Sequence, residues 1–194
     1  MAKKKDLGKL LRQFGLFFVV LFIIVLMSFV SPVFMTNKNI INVLRQISLN
    51  GILSVGMTCV ILTGGIDLSV GSTVAITGVI TGSLLLNGTN WFIACLAALV
   101  PSILVGVLNG YLIAYAGFQP FIATLSTMTI GRGFALAYAN GKPYTISDES
   151  FIRIGQGYIG LIPIPIILLV LFCAVGFILL NQTTFGRYVF AIGG

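Results

Sequence analysis

An all-α bundle of membrane-spanning helices is the fold this sequence predicts, and three observations predict it. Hydrophobic residues make up 58% of the 194 and charged residues only 8%, where a soluble domain carries about 25% charge. The apolar residues lie in long uncharged runs, with no charge from Gln46 to Ile66 and none from Leu68 to Gly131. Between those runs Asp67 sits in a glycine-rich stretch, Leu62 to Ser72, that should interrupt a helix. The expected fold is polytopic, with about six spans and a broken or re-entrant segment around Gly64–Ser72. Non-helical backbone at that depth survives only where protein or a water-filled cavity satisfies it.

The elements follow in order. Residues 1–13 form a basic head, with Lys3, Lys4, Lys5, Lys9 and Arg12 against Asp6. Such a head places the N-terminus in the cytoplasm, near anionic lipid. The first span is expected at about 14–34. The run lacks a small-residue cleavage site and exceeds the ~7–15 residues of a signal-peptide core. Residues 31–45 hold Pro32, Asn37, Lys38, Asn39 and Asn42, which predicts an external loop or interfacial segment. The second span, 47–63, is short for a ~20-residue crossing. The third, 69–86, carries Gly71, Ser72, Gly78, Gly82 and Ser83, small residues that let another helix approach.

After an Asn87–Asn90 turn, Trp91 opens the fourth span, 91–115, at a position suited to the interfacial belt. Pro101 should kink it. Asn109 is its polar exception, either bonding across helices or facing a cavity. The fifth span, 119–139, has Thr124, Ser126, Thr127 and Thr129, with Arg132 deep within it. An intramembrane arginine needs a partner or a water path, so Arg132 either pairs with Asp67 or snorkels outward. Residues 140–160 are expected as an external polar loop, mixing Lys142, Asp148, Glu149 and Arg153. The sixth span, 161–180, starts with Pro163 and Pro165, tolerated in a first turn. Residues 181–194 then return to the cytoplasm. Phe185, Tyr188, Val189 and Ile192 have helical spacing, but the segment is too short for an independent helix and should fray at Gly193 and Gly194.

Two readings stand for the break. A lone acid within apolar sequence is costly and marks a pathway. A Gly-Gly-x-Asp turn at headgroup depth would do no more than let Asp67 or Ser69 cap the next helix. On the first reading Gly64, Gly65, Asp67, Ser69 and Gly71 organise a pathway, to which Asn109, Thr124, Ser126 and Arg132 are candidate contributors.

Several function classes drop out. Histidine is absent, and there is no nucleophile–base pair, paired carboxylate or phosphate-binding loop, so no catalytic residue is assigned. Cys59, Cys95 and Cys173 fall in separate apolar runs, so neither a metal site nor a cofactor is expected. Five of the eleven basic residues are in the head and the others are scattered, which is no nucleic-acid footprint.

The stretch Thr63-Gly64-Gly65-Ile66-Asp67-Leu68-Ser69-Val70-Gly71-Ser72 resembles the most recognisable motif of bacterial ABC-importer permeases of the ribose and related monosaccharide type. Asn42-Val43-Leu44-Arg45-Gln46, the segment Pro120 to Gly133 and the segment Thr184 to Gly194 are similar to further pieces of that family, in order and spacing. The resemblance covers this chain nearly end to end, and roughly the first three-fifths of a typical member. It implies a multi-pass permease subunit of the bacterial cytoplasmic (inner) membrane that moves a small sugar. It implies an ABC ATPase subunit on the cytoplasmic side, an extracytoplasmic solute-binding protein and a second permease copy as a homodimer. The ATP chemistry would then belong to the ATPase, and Phe185, Gly186, Arg187 and Tyr188 would lie on the ATPase-facing loop. On this reading the chain is the N-terminal part of a permease domain, expected to insert alone but not to transport. Two other functions compete on the residues themselves. One is an ion-coupled secondary transporter with Asp67 as its coupling carboxylate; the other is an anchoring protein, which leaves the break unexplained.

Overall fold

The computed structural model describes residues 2–194, with side chains from Phe14 onward. It divides into two compact units, Met1–Gln46 and Ile47–Gly194, each described by itself. The first unit holds helix α1 (Ala2–Val30) and the start of α2 (Asn37–Leu62). Between them, residues 31–36 make a tight turn. Thr36 receives the Asn39 N–H on its hydroxyl at 3.4 Å, and the Asn39 amide reaches back to the Phe34 carbonyl at 2.7 Å. These two contacts correct the expectation of a loop through residue 45. The polar residues Asn37, Lys38 and Asn39 are the first turn of α2, where asparagine and threonine satisfy orphan backbone groups. The second apolar helix is therefore 26 residues long and fully able to cross a bilayer.

The second unit is organised around α3 (Val70–Leu86), α4 (Trp91–Ala114) and α5 (Pro120–Tyr138), which pack on one another. Asn90 caps α4 by accepting the Phe92 N–H at 2.9 Å. Pro101 lies inside α4, and Pro120 opens α5 at a position where its missing N–H costs nothing. The contact faces are made of small residues. Ala94 and Ala98 on α4, and Ala123, Thr124, Thr127, Gly131 and Ala135 on α5, are buried. A side chain at Gly131 would sit 3.1 Å from the Ser72 hydroxyl and 3.0 Å from the Ile76 tip, so α3 and α5 meet at that glycine.

Residues 140–163 are more ordered than a polar loop. Asp148 caps a short helix, α6 (Glu149–Gln156), by accepting the Phe151 N–H at 2.8 Å. Glu149 in its first turn and Arg153 in its last both complement the helix dipole. A two-stranded antiparallel ribbon follows, Tyr158–Ile159 with Ile162–Pro163, turning at Gly160 with φ of +63°. Helix α7 (Ile164–Gln182) then starts with Pro163 at its N-cap position and Pro165 in its first turn. The chain from Thr184 to Gly193 is a helix, α8, and not a frayed end. Thr183 accepts the Gly186 N–H at 3.4 Å, Gly186 backs onto the Leu180 carbonyl, and Val189 is buried against the fold. Tertiary packing supplies what a ten-residue helix cannot supply for itself.

The distribution of side chains is inverted relative to a soluble domain. Among the described residues the interior is Ala, Gly, Ser, Thr and Asn, with Pro163, Pro165, Ile76 and Val189 the larger buried apolar side chains. Phe, Leu, Ile and Val cover the outside, with Leu104 and Ile103 each more than 60% exposed. That arrangement suits a hydrocarbon solvent, in which helices associate through small residues and polar bonds. By length and composition three helices, α2, α4 and α7, qualify as spans; Phe14–Val30 and Val70–Leu86 are shorter apolar segments. Helix α5 is long enough at 19 residues but carries hydroxyls and Arg132. The count of six spans is thus not established by length and apolarity.

Candidate functional site at the break between α2 and α3

Helix α2 ends because Gly64 can adopt a left-handed backbone, φ +75°. Its N–H bonds the Ile61 carbonyl at 2.9 Å, and the Gly65 N–H bonds the Val60 carbonyl at 3.1 Å. This is the Schellman pattern, which closes the last orphan carbonyls of a helix. Residues 65–68 then run without regular structure before α3 begins. The sequence places a helix break here, and the structure gives its local cause.

Asp67 fixes the far side of the break. Its Oδ1 accepts the Ser69 N–H at 2.7 Å and the Ser69 hydroxyl at 2.6 Å. Ser69 occupies the N-cap position of α3, yet its side chain makes no cap bond. Its hydroxyl is committed to Asp67, and its carbonyl receives the Ser72 hydroxyl at 2.8 Å and the Thr73 hydroxyl at 3.0 Å. Ser69 therefore does not cap α3 with its side chain, while Asp67 takes the Ser69 N–H and closes a local turn that holds the carboxylate.

From Ser69 a polar chain crosses to two other helices. Asn109 on α4 donates from Nδ2 to Ser69 Oγ at 3.0 Å, and Thr127 on α5 donates to Asn109 Oδ1 at 2.8 Å. The directions are dictated by charge. A carboxylate only accepts, so Ser69 must spend its proton on Asp67 and can only accept from Asn109. That forces the Asn109 amide nitrogen toward Ser69 and its oxygen toward Thr127. Every donor in the chain thus points toward Asp67. Thr124 adds a second tie, its Oγ1 lying 2.7 Å from the Pro120 carbonyl and 3.2 Å from the Ile66 carbonyl of the break. Ser69, Asn109, Thr124 and Thr127 are all buried, and low local dielectric strengthens bonds between such groups.

A cavity of about 530 Å³ opens beside this network, lined by Thr63, Gly65, Asp67, Asn109, Thr124 and Ile192 among others. Asp67 and Ser69 also line a smaller hollow of about 200 Å³, with Leu53, Thr73 and Ser102. The structure therefore gathers Gly64, Gly65, Asp67, Ser69, Asn109 and Thr124 in one place. Gly71 and Arg132 lie apart, together with Ser72 and Met128 around a hollow of about 220 Å³. Asp67 partners Ser69, and among the described residues no ion pair joins it to Arg132, which is exposed. Ser126 is exposed and donates back to the Ile122 carbonyl at 2.8 Å, away from the network. Of the four residues placed on the cytoplasmic loop, Phe185, Arg187 and Tyr188 point outward from α8, and Gly186 is buried where α8 folds against α7. Thr127 and Ile192 are site residues that the sequence reading did not single out. Thr127 follows Thr124 by one helical turn, which was the available signal.

Comparison with known proteins adds an independent line. The family model described as "Branched-chain amino acid transport system / permease component" matches residues 39–194. The ribose import permease protein RbsC of Haemophilus influenzae is 41% identical over 193 residues, covering 97% of this chain and 60% of the relative. That of Bacillus subtilis is 38% identical over 194 residues, 99% of this chain and 60% of the relative. The L-arabinose transport system permease protein AraH of Escherichia coli is 35% identical over 187 residues, 96% of this chain and 57% of the relative. The chain thus spans about 60% of the length of the curated ribose permeases it matches. No solved structure matches.

Proposed function

The chain belongs to the branched-chain amino acid transport system / permease component family, and from that premise we propose that it forms part of the membrane subunit of an ATP-driven importer of a monosaccharide. The observation that carries the reading is the identity of about 40% with ribose import permeases across nearly the whole chain. The site supports it: a broken helix, a directed polar network and a cavity sized for a small solute. Its partners are an ABC ATPase on the cytoplasmic side, a solute-binding protein outside and a second permease copy. The permease performs no ATP chemistry; it changes access to its pathway when the ATPases close. The chain crosses the bacterial cytoplasmic membrane several times, with its N-terminus in the cytoplasm. Outward-facing Phe185, Arg187 and Tyr188 on α8 supply an aromatic and cationic surface for the ATPase.

Ion coupling through Asp67 finds less support, because the relatives matched at about 40% identity are ribose import permeases. The test is sugar uptake by the assembled importer in proteoliposomes, with D-ribose, D-allose and L-arabinose offered in turn. Uptake should require internal ATP and persist when a proton or sodium ionophore collapses the ion gradients. Uptake that follows the gradients and ignores ATP would replace this reading with secondary transport.

A further inference from the structure

We propose that the cavity beside the break is a sugar-binding site within the membrane, and that the uncommitted carboxylate oxygen of Asp67 is its principal hydrogen-bond acceptor. This rests on the reading of the chain as a sugar permease and deepens it.

The inference comes from counting what each polar group lining the cavity has left to give. The Thr63 hydroxyl donates to the Val60 carbonyl at 2.7 Å. The Thr124 hydroxyl is held by the Pro120 and Ile66 carbonyls. Asn109 gives one N–H to Ser69 and takes the Thr127 hydroxyl on its oxygen, and its buried amide keeps a second N–H, a donor and not an acceptor. Asp67 is different. Both bonds from Ser69 fall on Oδ1, and among the described residues Oδ2 accepts none. The carboxylate cannot swing away without losing two short bonds, so it is presented in a fixed attitude. The chain from Thr127 through Asn109 to Ser69 runs donor to acceptor toward the carboxylate, and Ser69, its last member, braces Asp67 directly.

The chemistry of the ligand follows. A fixed carboxylate oxygen calls for a donor, either a hydroxyl or a cation. Calcium and magnesium want six or more oxygens closely around them, and among the described residues no group of three or more His, Cys, Asp or Glu stands together to hold a metal. The cavity is about 530 Å³, and Val60, Ile66, Ile113, Ala114 and Pro120 form much of its wall. Such walls suit the C–H faces of a pyranose or furanose ring, and the volume holds one monosaccharide with a few waters. A sugar hydroxyl on a carboxylate makes a charge-assisted bond, roughly twice as strong as a neutral one. Asp67 therefore serves both as the keystone of the break and as a ligand contact.

Asparagine separates those two roles. Asp67→Asn keeps an oxygen for Ser69, so the turn survives. The cavity then meets an NH2 group, a donor where the sugar needs an acceptor. The experiment uses the assembled importer, with Cys59, Cys95 and Cys173 replaced by alanine and a reporter cysteine placed in the cavity wall as Ile113→Cys, and independently as Ala114→Cys. The rate of labelling by a small methanethiosulfonate is measured with and without saturating D-ribose. Ribose should slow labelling several-fold when Asp67 is present. Adding Asp67→Asn should abolish the protection while the ATPase still co-purifies with the permease. Equal labelling with and without ribose, in an importer that transports ribose, would overturn the binding site. Protection undiminished by Asp67→Asn would overturn the role of Asp67. If D-ribose, D-allose and L-arabinose all go untransported, it is the sugar-permease reading that fails, and this inference with it.

Discussion

Ser69 shows how much one small side chain can organise. Its hydroxyl donates to Asp67 and accepts from Asn109, so it joins the break to α4 and, through Thr127, to α5. Removing the last donor exposes the logic. Thr127→Val keeps the shape but leaves Asn109 Oδ1 buried without its partner, a loss expected to cost about 1–3 kcal/mol. The melting temperature of the purified permease should fall accordingly, and Thr127→Ser should hold near the parent value. Equal melting of the valine variant and the parent would mean that the network carries no stability. Asp67, Ser69, Asn109 and Thr124 were each legible in the sequence as polar residues within apolar runs. Their union was not, because Ser69 and Asn109 are 40 positions apart and no local pattern states which helices touch. Thr127 is named among the hydroxyls of the fifth span but is not picked out as a site residue, for a physical reason: a helical threonine satisfies its hydroxyl on a carbonyl one turn back, as Thr127 also does toward Ala123. Only its spacing of one turn after Thr124 hints that it shares a face with that residue; no local pattern states that it reaches a neighbouring helix.

Helices in this chain meet where side chains are missing. Gly131 brings α5 against Ser72 and Ile76, and Gly82 lies beneath the ring of Tyr144. Gly131→Leu should force α3 and α5 apart and cost about 1–3 kcal/mol by overpacking. It should also disturb the network indirectly, since Ser72 bonds the Ser69 carbonyl. Gly78, whose added side chain would meet nothing within 4 Å, is the control: Gly78→Ala should be neutral or slightly stabilising in a melting experiment. If Gly131→Leu melts no lower than Gly78→Ala, the close approach of α3 and α5 is wrong. Uncharged apolar runs point to where helices lie and do not state where they end. Helix α2 begins at Asn37 because Thr36 and Asn39 tie the turn together, an effect of specific contacts and not of hydropathy. Helix α8 forms because Gly186 and Val189 find surfaces to pack on, which a reading of twelve or so residues in isolation cannot supply. The capped helix α6 was written in Asp148, Glu149 and Arg153, three charges placed in sequence order for a helix dipole.

At the scale of the molecule, small and polar residues inside with large apolar residues outside define the environment as lipid. On the proposed reading, with a cytoplasmic N-terminus and about six spans, alternation assigns a side to each connection. Residues 140–163, with α6 and the short ribbon, are expected to face outward and to meet the binding protein. Ser147→Cys, in a background without native cysteines, should react with an impermeant thiol reagent applied to intact cells; labelling only after permeabilisation would reverse the orientation. The lone acid of the break remains the point on which the functional reading turns, and one substitution addresses it. ATP-driven ribose uptake is to be measured in proteoliposomes for the assembled importer and its Asp67→Asn variant, at matched amounts of inserted permease. Uptake should fall strongly, although asparagine preserves the turn and the protein still inserts and binds its ATPase. Transport at the parent rate would contradict the claim, and would reduce Asp67 to the keystone of a turn.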